Sequence, residues 1–161
     1  MYRLWAPWRM SYIKSADRMQ GCFLCEAIAG HDEDTYVVYR SKRVFVILNS
    51  YPYNTGHIMV APYRHIGDIE SLDDAEAIDL INVIKKSIAA LREVYSPQGY
   101  NIGVNLGRVA GAGVEGHLHV HIVPRWSGDT NFMPITGGAK VLPEDLRSTW
   151  QKLREAFKKI S

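Results

Sequence analysis

Along the chain the spacing of apolar positions changes several times, and each change marks an element. Residues 36–40 (YVVYR) and 44–49 (VFVILN) are β-branched and apolar around a short polar turn, which predicts a hairpin. Residues 51–57 (YPYNTGH) break the run with Pro52 and Gly56 and read as loop. Residues 57–62 (HIMVAP) read as a third strand closed by Pro62. From 73 to 95 the period lengthens: Ala77, Ile81, Ile84, Ile88, Leu91 and Tyr95 recur at steps of four and three, the stripe of one long helix. Ser71, three residues before Asp74, predicts a capping box with Asp in place of Glu, and Pro97 with Gly99 predicts the stop. YNIGVNL (100–106) predicts a fourth strand, and HLHVHIV (117–123) predicts a fifth after a glycine-rich stretch over 107–116. Past Pro143, Leu146, Trp150, Leu153 and Phe157 fall on one face of a C-terminal helix. Strands with short connections and a single long helix imply an antiparallel α+β domain, not a doubly wound parallel sheet.

Composition sharpens this only a little. A chain of 161 residues, 47% hydrophobic and 22% charged, is that of one globular domain able to bury a core, here expected over 21–161. Residues 1–20 mix Tyr2, Arg3, Trp5, Trp8, Arg9 and Tyr12 without either period. They read as an aromatic and basic arm, with Trp5 and Trp8 packing over the body or across a subunit interface. A net charge of +2 gives no reason to expect a nucleic-acid partner and suits an enzyme that handles a small anion through a local patch. No apolar run is long enough to span a bilayer, and MYRLWAPWRM lacks the apolar core of a secretory leader. A cytoplasmic protein with no membrane partner is the expectation.

The chemistry concentrates in HLHVHIVPRW (117–126), where half of the chain's 6 histidines occur. On a strand, His117, His119 and His121 share one face while Leu118, Val120 and Ile122 share the other and enter the core. Each buried imidazole needs its own partner, so three in register are hard to attribute to packing. Two chemistries use such a face: a metal centre with imidazole ligands, or nucleophilic attack by a neutral imidazole on phosphorus or a carbonyl. Gly107, Gly111, Gly113 and Gly116, with Gly103 upstream, expose backbone N–H groups that can cradle phosphate oxygens, and Arg125 follows. Phosphate is therefore favoured over a carbonyl. The only cysteines form Cys22-x-x-Cys25, which in a reducing compartment points to metal or redox chemistry, or to two free thiols, before a structural disulfide. No βαβ context supports a redox motif, and a zinc site would need two further ligands, for which His65 and His117 are available. His31, within GHDEDT, reads as solvated.

HLHVHIV matches the alternating His-hydrophobic signature of the histidine triad superfamily and resembles it closely. ILNSYPYNTGHIMVAP (47–62) resembles the segment that runs from the family's ribose-contacting asparagine to its Gly-His. HIVPRWSGDTNF (121–132) and LWAPWRMSYI (4–13) resemble the fragile-histidine-triad branch, which includes bacterial diadenosine tetraphosphate hydrolases and phosphorylases. The resemblance implies a five-stranded sheet paired into ten strands in a homodimer, with the 73–95 helix near the seam. It implies that His119 attacks the α-phosphorus of a dinucleoside polyphosphate and forms a nucleotidyl-histidine, released to water or inorganic phosphate. His121 would donate to the phosphate or the leaving oxygen, and His57 would help hold the phosphates. Asn49 would contact ribose, Asn105 would open the phosphate loop that includes Gly111 and Gly113, and Trp126 would mark the nucleotide end of the cleft. It further implies one structural zinc on Cys22, Cys25, His65 and His117, and no organic cofactor. One departure stands out: where many members carry Gly-Gln-Ser or Gly-Gln-Thr before the first histidine, this chain reads GAGVEGH, without the amide or the hydroxyl. A phosphoramidate or adenylate-conjugate hydrolase, a slow-turnover nucleotide sensor and a three-histidine metalloenzyme stay open beside the leading expectation.

Overall fold

Five strands, β1 (Val37–Arg40), β2 (Val44–Leu48), β3 (Ile58–Pro62), β4 (Gly99–Val104) and β5 (Val120–Arg125), form one sheet in the order β1-β2-β3-β5-β4. A computed structural model describes residues 21–160, so the arm over 1–20 and the packing expected of Trp5 and Trp8 lie outside the described residues. Every neighbouring pair is antiparallel, as the short connections predict. Between β3 and β4 the chain crosses through the long helix α3 (Asp74–Tyr95) and leaves a gap that β5 fills later. The remaining helices are α1 (Phe23–Ala29), α2 (Asp32–Thr35), α4 (Met133–Thr136) and α5 (Leu146–Ile160). Three of these, with 7, 4 and 4 residues, are too short for a helical period to show in the sequence.

One face of the sheet buries Val44, Val46, Ile58, Val60, Val120 and Ile122 against α3 and α5. From α5 come Trp150, Leu153, Ala156 and Phe157, on the face predicted for it. Trp150 Nε1–H donates to the Val37 carbonyl at 2.8 Å and ties the last helix to the first strand. Burying Leu153 and Phe157, both nearly inaccessible, stabilises the fold by roughly 1.5–3 kcal/mol each. A bulge between Val37 and Tyr39 lets Val38 and Tyr39 both face α5, where Tyr39 stacks on Phe157 at 4.9 Å. The opposite face carries Val37, Phe45, Ile47, Met59 and Ala61, and Leu24 and Ala27 of α1 cover part of it.

Three sequence expectations shift by a residue or more. Helix α3 buries Leu80, Val83, Ser87, Ala90 and Leu91, while Ile81 of the predicted stripe is 57% exposed and Ile84 and Tyr95 pack at its margin. The helix is apolar on adjoining stripes, so periodicity gives its direction but not which stripe meets the sheet. Its capping box is Asp73 with Glu76, not Ser71 with Asp74: Glu76 N–H donates to Asp73 Oδ1 at 2.7 Å and Asp73 N–H to Glu76 Oε2 at 3.0 Å. Strand β5 starts at Val120, not at 117: its partner β4 ends opposite Val120, and the residues before it leave the ladder. There the His117 ring donates Nε2–H to the Pro62 carbonyl at 2.8 Å, and Leu118 N–H turns to Ile66 O at 2.6 Å. Among the described residues, no helix is long and apolar enough to cross a membrane.

Candidate active site

Side chains alternate through the approach to β5. Leu118, Val120 and Ile122 are buried, and His121 lies opposite Met59 on the face shared with α1. His119 and His121 line a cavity of about 1190 Å³, with Asn49, Tyr53, Asn105, Gly111 and Gly113 also on its wall. Their rings meet edge to face at 5.0 Å.

Hydrogen bonds assign the tautomers. His119 Nδ1 lies 2.8 Å from the His117 carbonyl, which can only accept, so Nδ1 holds the hydrogen and Nε2 is left with its lone pair. Burial lowers the affinity of His119 for a proton and keeps the ring neutral, although the His117 carbonyl opposes this. Tyr53 N–H donates to His57 Nδ1 at 3.1 Å, so His57 has its hydrogen on Nε2 and donates it to His121 Nδ1 at 2.9 Å. A neutral His121 then carries its own hydrogen on Nε2. The backbone of the 51–57 loop thus sets the tautomer of His121 through His57. His57 is 1% exposed, and burial, with His121 and His119 beside it, pushes its pKa down to about 3. It stands behind His121 and does not reach the cavity wall where phosphate contact was expected.

The loop that delivers these groups is closely packed. Asn49 N–H donates to the His57 carbonyl at 3.0 Å, and Asn49 Oδ1 accepts from Tyr51 N–H at 2.8 Å. Gly56 has a φ of +81°, and a Cβ there would lie 3.1 Å from Leu91 and 3.2 Å from Pro124, so only glycine suits the turn before His57. Asn54, which the sequence reading passed over, is buried and donates to the Pro124 carbonyl at 3.0 Å and to Asp129 Oδ2 at 2.7 Å. Arg125, read beforehand as part of the phosphate signal, grips Asp129 at 2.7 and 3.0 Å and Asn101 at 2.7 Å. That pairing holds the Asp129 carboxyl far below the usual carboxylate range. Trp126 is not brought to the cavity: its indole N–H donates to the Tyr95 carbonyl at 3.2 Å and its ring meets Tyr95 edge to face. Asn105 donates to Gly111 O at 3.4 Å and so braces the glycine-rich loop. His31 is exposed, as expected.

His117 turns the other way. With Nε2–H given to Pro62, its Nδ1 faces Cys22 Sγ at 3.3 Å and Cys25 Sγ at 3.5 Å, and His65 Nδ1 lies 3.3 Å from Cys25 Sγ. All four donor atoms lie within 4.8 Å of one another. In a tetrahedral zinc site, bonds of 2.0–2.3 Å separate sulfur from nitrogen by about 3.6 Å. Two soft sulfurs, two imidazole nitrogens and a ligand histidine anchored on a carbonyl through its other nitrogen suit such an ion. The two cysteines fall on one side of the first turn of α1, with Glu26 N–H donating to the Cys22 carbonyl. The segment carrying His65 is tied to α3 by Arg64, which pairs with both carboxylate oxygens of Glu76 and donates to Ser71 O at 2.7 Å. A Cβ at Gly116 would come within 3.0 Å of the His65 ring, so the glycine-rich loop closes directly over this cluster.

Comparison with known proteins adds to this geometry. A family model described as HIT domain matches residues 31–128. A Mycobacterium tuberculosis protein named AP-4-A phosphorylase is 43% identical over 157 residues, covering 92% of this chain and 80% of that protein. A Schizosaccharomyces pombe protein named bis(5'-nucleosyl)-tetraphosphatase (asymmetrical) is 36% identical over 93 residues, 58% of this chain and 50% of the other. Among solved structures, a zinc-bound histidine triad family protein from Mycobacterium smegmatis superposes with a TM-score of 0.70 at 26% identity, covering 86% of this chain and 94% of that one.

Proposed function

This chain belongs to the HIT domain family, and from that premise we propose that it cleaves dinucleoside polyphosphates at the α-phosphate, with inorganic phosphate as the preferred acceptor. The observation that carries the reading is His119: a buried, neutral imidazole on the cavity wall, its Nδ1–H tied to a carbonyl and its Nε2 free. In the first step Nε2 attacks the α-phosphorus while the bond to the bridging oxygen breaks, and the leaving nucleotide takes that electron pair. His121, with Nε2–H directed by His57, donates to the phosphate oxygens as charge develops there. In the second step an acceptor oxygen attacks the same phosphorus and His119 departs as a neutral ring. Asn49 contacts ribose, and the Asn105–Gly113 loop offers N–H groups to the α-phosphate.

The acceptor follows from two features. The 43% identical relative is named a phosphorylase, and GAGVEGH lacks both the Gln and the hydroxyl that other triad proteins present to the leaving group. Incubation with diadenosine tetraphosphate, with and without phosphate, tests this. ADP plus ATP is expected when phosphate is present; AMP plus ATP regardless of phosphate would make it a hydrolase, and no products would remove the substrate class. Zinc on Cys22, Cys25, His65 and His117 would have a structural role, because four protein ligands leave no position for substrate. His117 would then hold both the ion and, through its carbonyl, the nucleophile. A homodimer completes the proposal, supported by the outer edge of β4, which no strand among the described residues pairs and where Asn101, Ile102 and Gly103 are exposed.

A further inference from the structure

We infer that Lys140 is the residue that selects for a long phosphate chain: its ammonium binds phosphates beyond the scissile bond. This rests on the reading of the site as a dinucleoside polyphosphate centre. The cavity of about 1190 Å³ exceeds the roughly 300–1,000 Å³ of ordinary small-molecule sites, so it has room for a ligand longer than one mononucleotide. Such a ligand brings several negative charges. Among the described residues on the cavity wall, Lys140 is the only lysine or arginine, and Glu115 is the only carboxylate. Arg125, the cation nearest to the triad in sequence, is engaged by Asp129 and Asn101.

Lys140 is also held in place. It lies on the segment that returns over the cavity after β5, together with Thr130, Pro134 and Leu142. One of its three N–H groups donates to the Asp129 carbonyl at 2.7 Å, which leaves two for a ligand. Asp129 is itself locked by Arg125, by Trp126 N–H at 3.1 Å and by buried Asn54. A compact ammonium on a flexible stem thus acquires a defined position at the wall of the cavity. The triad acts at the α-phosphorus, whereas a charge carried by the segment after β5 acts only when phosphates extend to it.

The test compares two substrates that share the α-phosphorus. Lys140→Met keeps the stem and removes the charge. It is expected to lower kcat/KM for diadenosine tetraphosphate about 10- to 100-fold, the worth of one charge-assisted hydrogen bond. The p-nitrophenyl ester of AMP, which lacks distal phosphates, is expected to change by less than about threefold, and Lys140→Arg is expected to recover most of the loss. Equal losses on both substrates would show that Lys140 only braces its segment, and no loss on diadenosine tetraphosphate would equally overturn the inference. If the wild type turns over neither substrate, the reading of the site fails and Lys140 is judged by calorimetry with ATP and AMP. Selective weakening of ATP by Lys140→Met supports it; unchanged, equally weakened or absent binding of the two overturns it.

Discussion

Acid should destabilise this fold in a way that one substitution can isolate. His57 is enclosed by Tyr53, His121 and the core, and burial together with His121 and His119 takes its pKa down to about 3. In the unfolded chain the same group titrates near 6.5. Between these values the unfolded chain binds a proton that the folded chain refuses. The stability due to neutral His57 is therefore fully present above pH 6.5 and is lost as pH falls toward about 3, with a slope near 1.4 kcal/mol per pH unit. From pH 7 to pH 5 the loss comes to about 2 kcal/mol. His57→Gln supplies an amide oxygen for Tyr53 N–H and an amide N–H for His121, but cannot titrate. Urea unfolding of both proteins at pH 7, 6 and 5 should show the wild type losing about 2 kcal/mol more than the variant across that range. Titration of other groups, and any release of metal, is common to both and cancels. Parallel stability curves would refute the buried, neutral assignment and with it the tautomer given to His121.

His119→Ala should reduce turnover at least about 10³-fold while nucleotide binding stays within roughly tenfold, measured by single-turnover kinetics and calorimetry. With wild type, an alkaline quench should trap α-phosphate label on the peptide carrying His119; product without trapped label would exclude the nucleotidyl-histidine. Purified protein should contain about one zinc per chain, and Cys22→Ser or Cys25→Ser should lower the zinc content and Tm together. Elemental analysis finding no metal under reducing conditions would end that assignment. Light scattering at micromolar concentration should give twice the chain mass, and a monomer would leave the β4 edge in need of another explanation.

Much of this was legible because strands and histidines follow strict alternation. Period two brought His119 and His121 to one cavity wall and predicted the burial of Leu118, Val120 and Ile122, while His117, ahead of the strand, turns to the cysteines. The Cys22, Cys25, His65 and His117 cluster, open among several readings of Cys-x-x-Cys and implied by the resemblance, is assembled in space as expected. What stayed hidden depended on direction rather than spacing. Nothing in YPYNTGH says that His57 points behind His121, because that follows from Tyr53 N–H and the register of Met59 with His121. Asn54, Asp129 and Lys140 meet between the β2–β3 loop and the segment after β5, with no period or motif to mark them. Trp126 missed its expected place since its indole N–H found the open carbonyl at the end of α3. Helix α1 escaped notice at 7 residues, although Cys22-x-x-Cys25 spans its first turn.

The late insertion of β5 between β3 and β4 governs when this molecule becomes able to do chemistry. The β1–β2 hairpin and β3 close over short loops, and α3 can form on its own contacts, but His57 and His121 are separated by 64 positions along the chain. Pairings that distant form last, after the entropy of a long loop has been overcome. Until then β3 and β4 both present open edges, which another chain could occupy. In the same interval His121 lacks its tautomer partner His57, and His117 lacks the Pro62 carbonyl that anchors it beside His119. Partly folded molecules are thus expected to be catalytically silent, so that specific activity would double as a measure of how completely a preparation has closed its sheet.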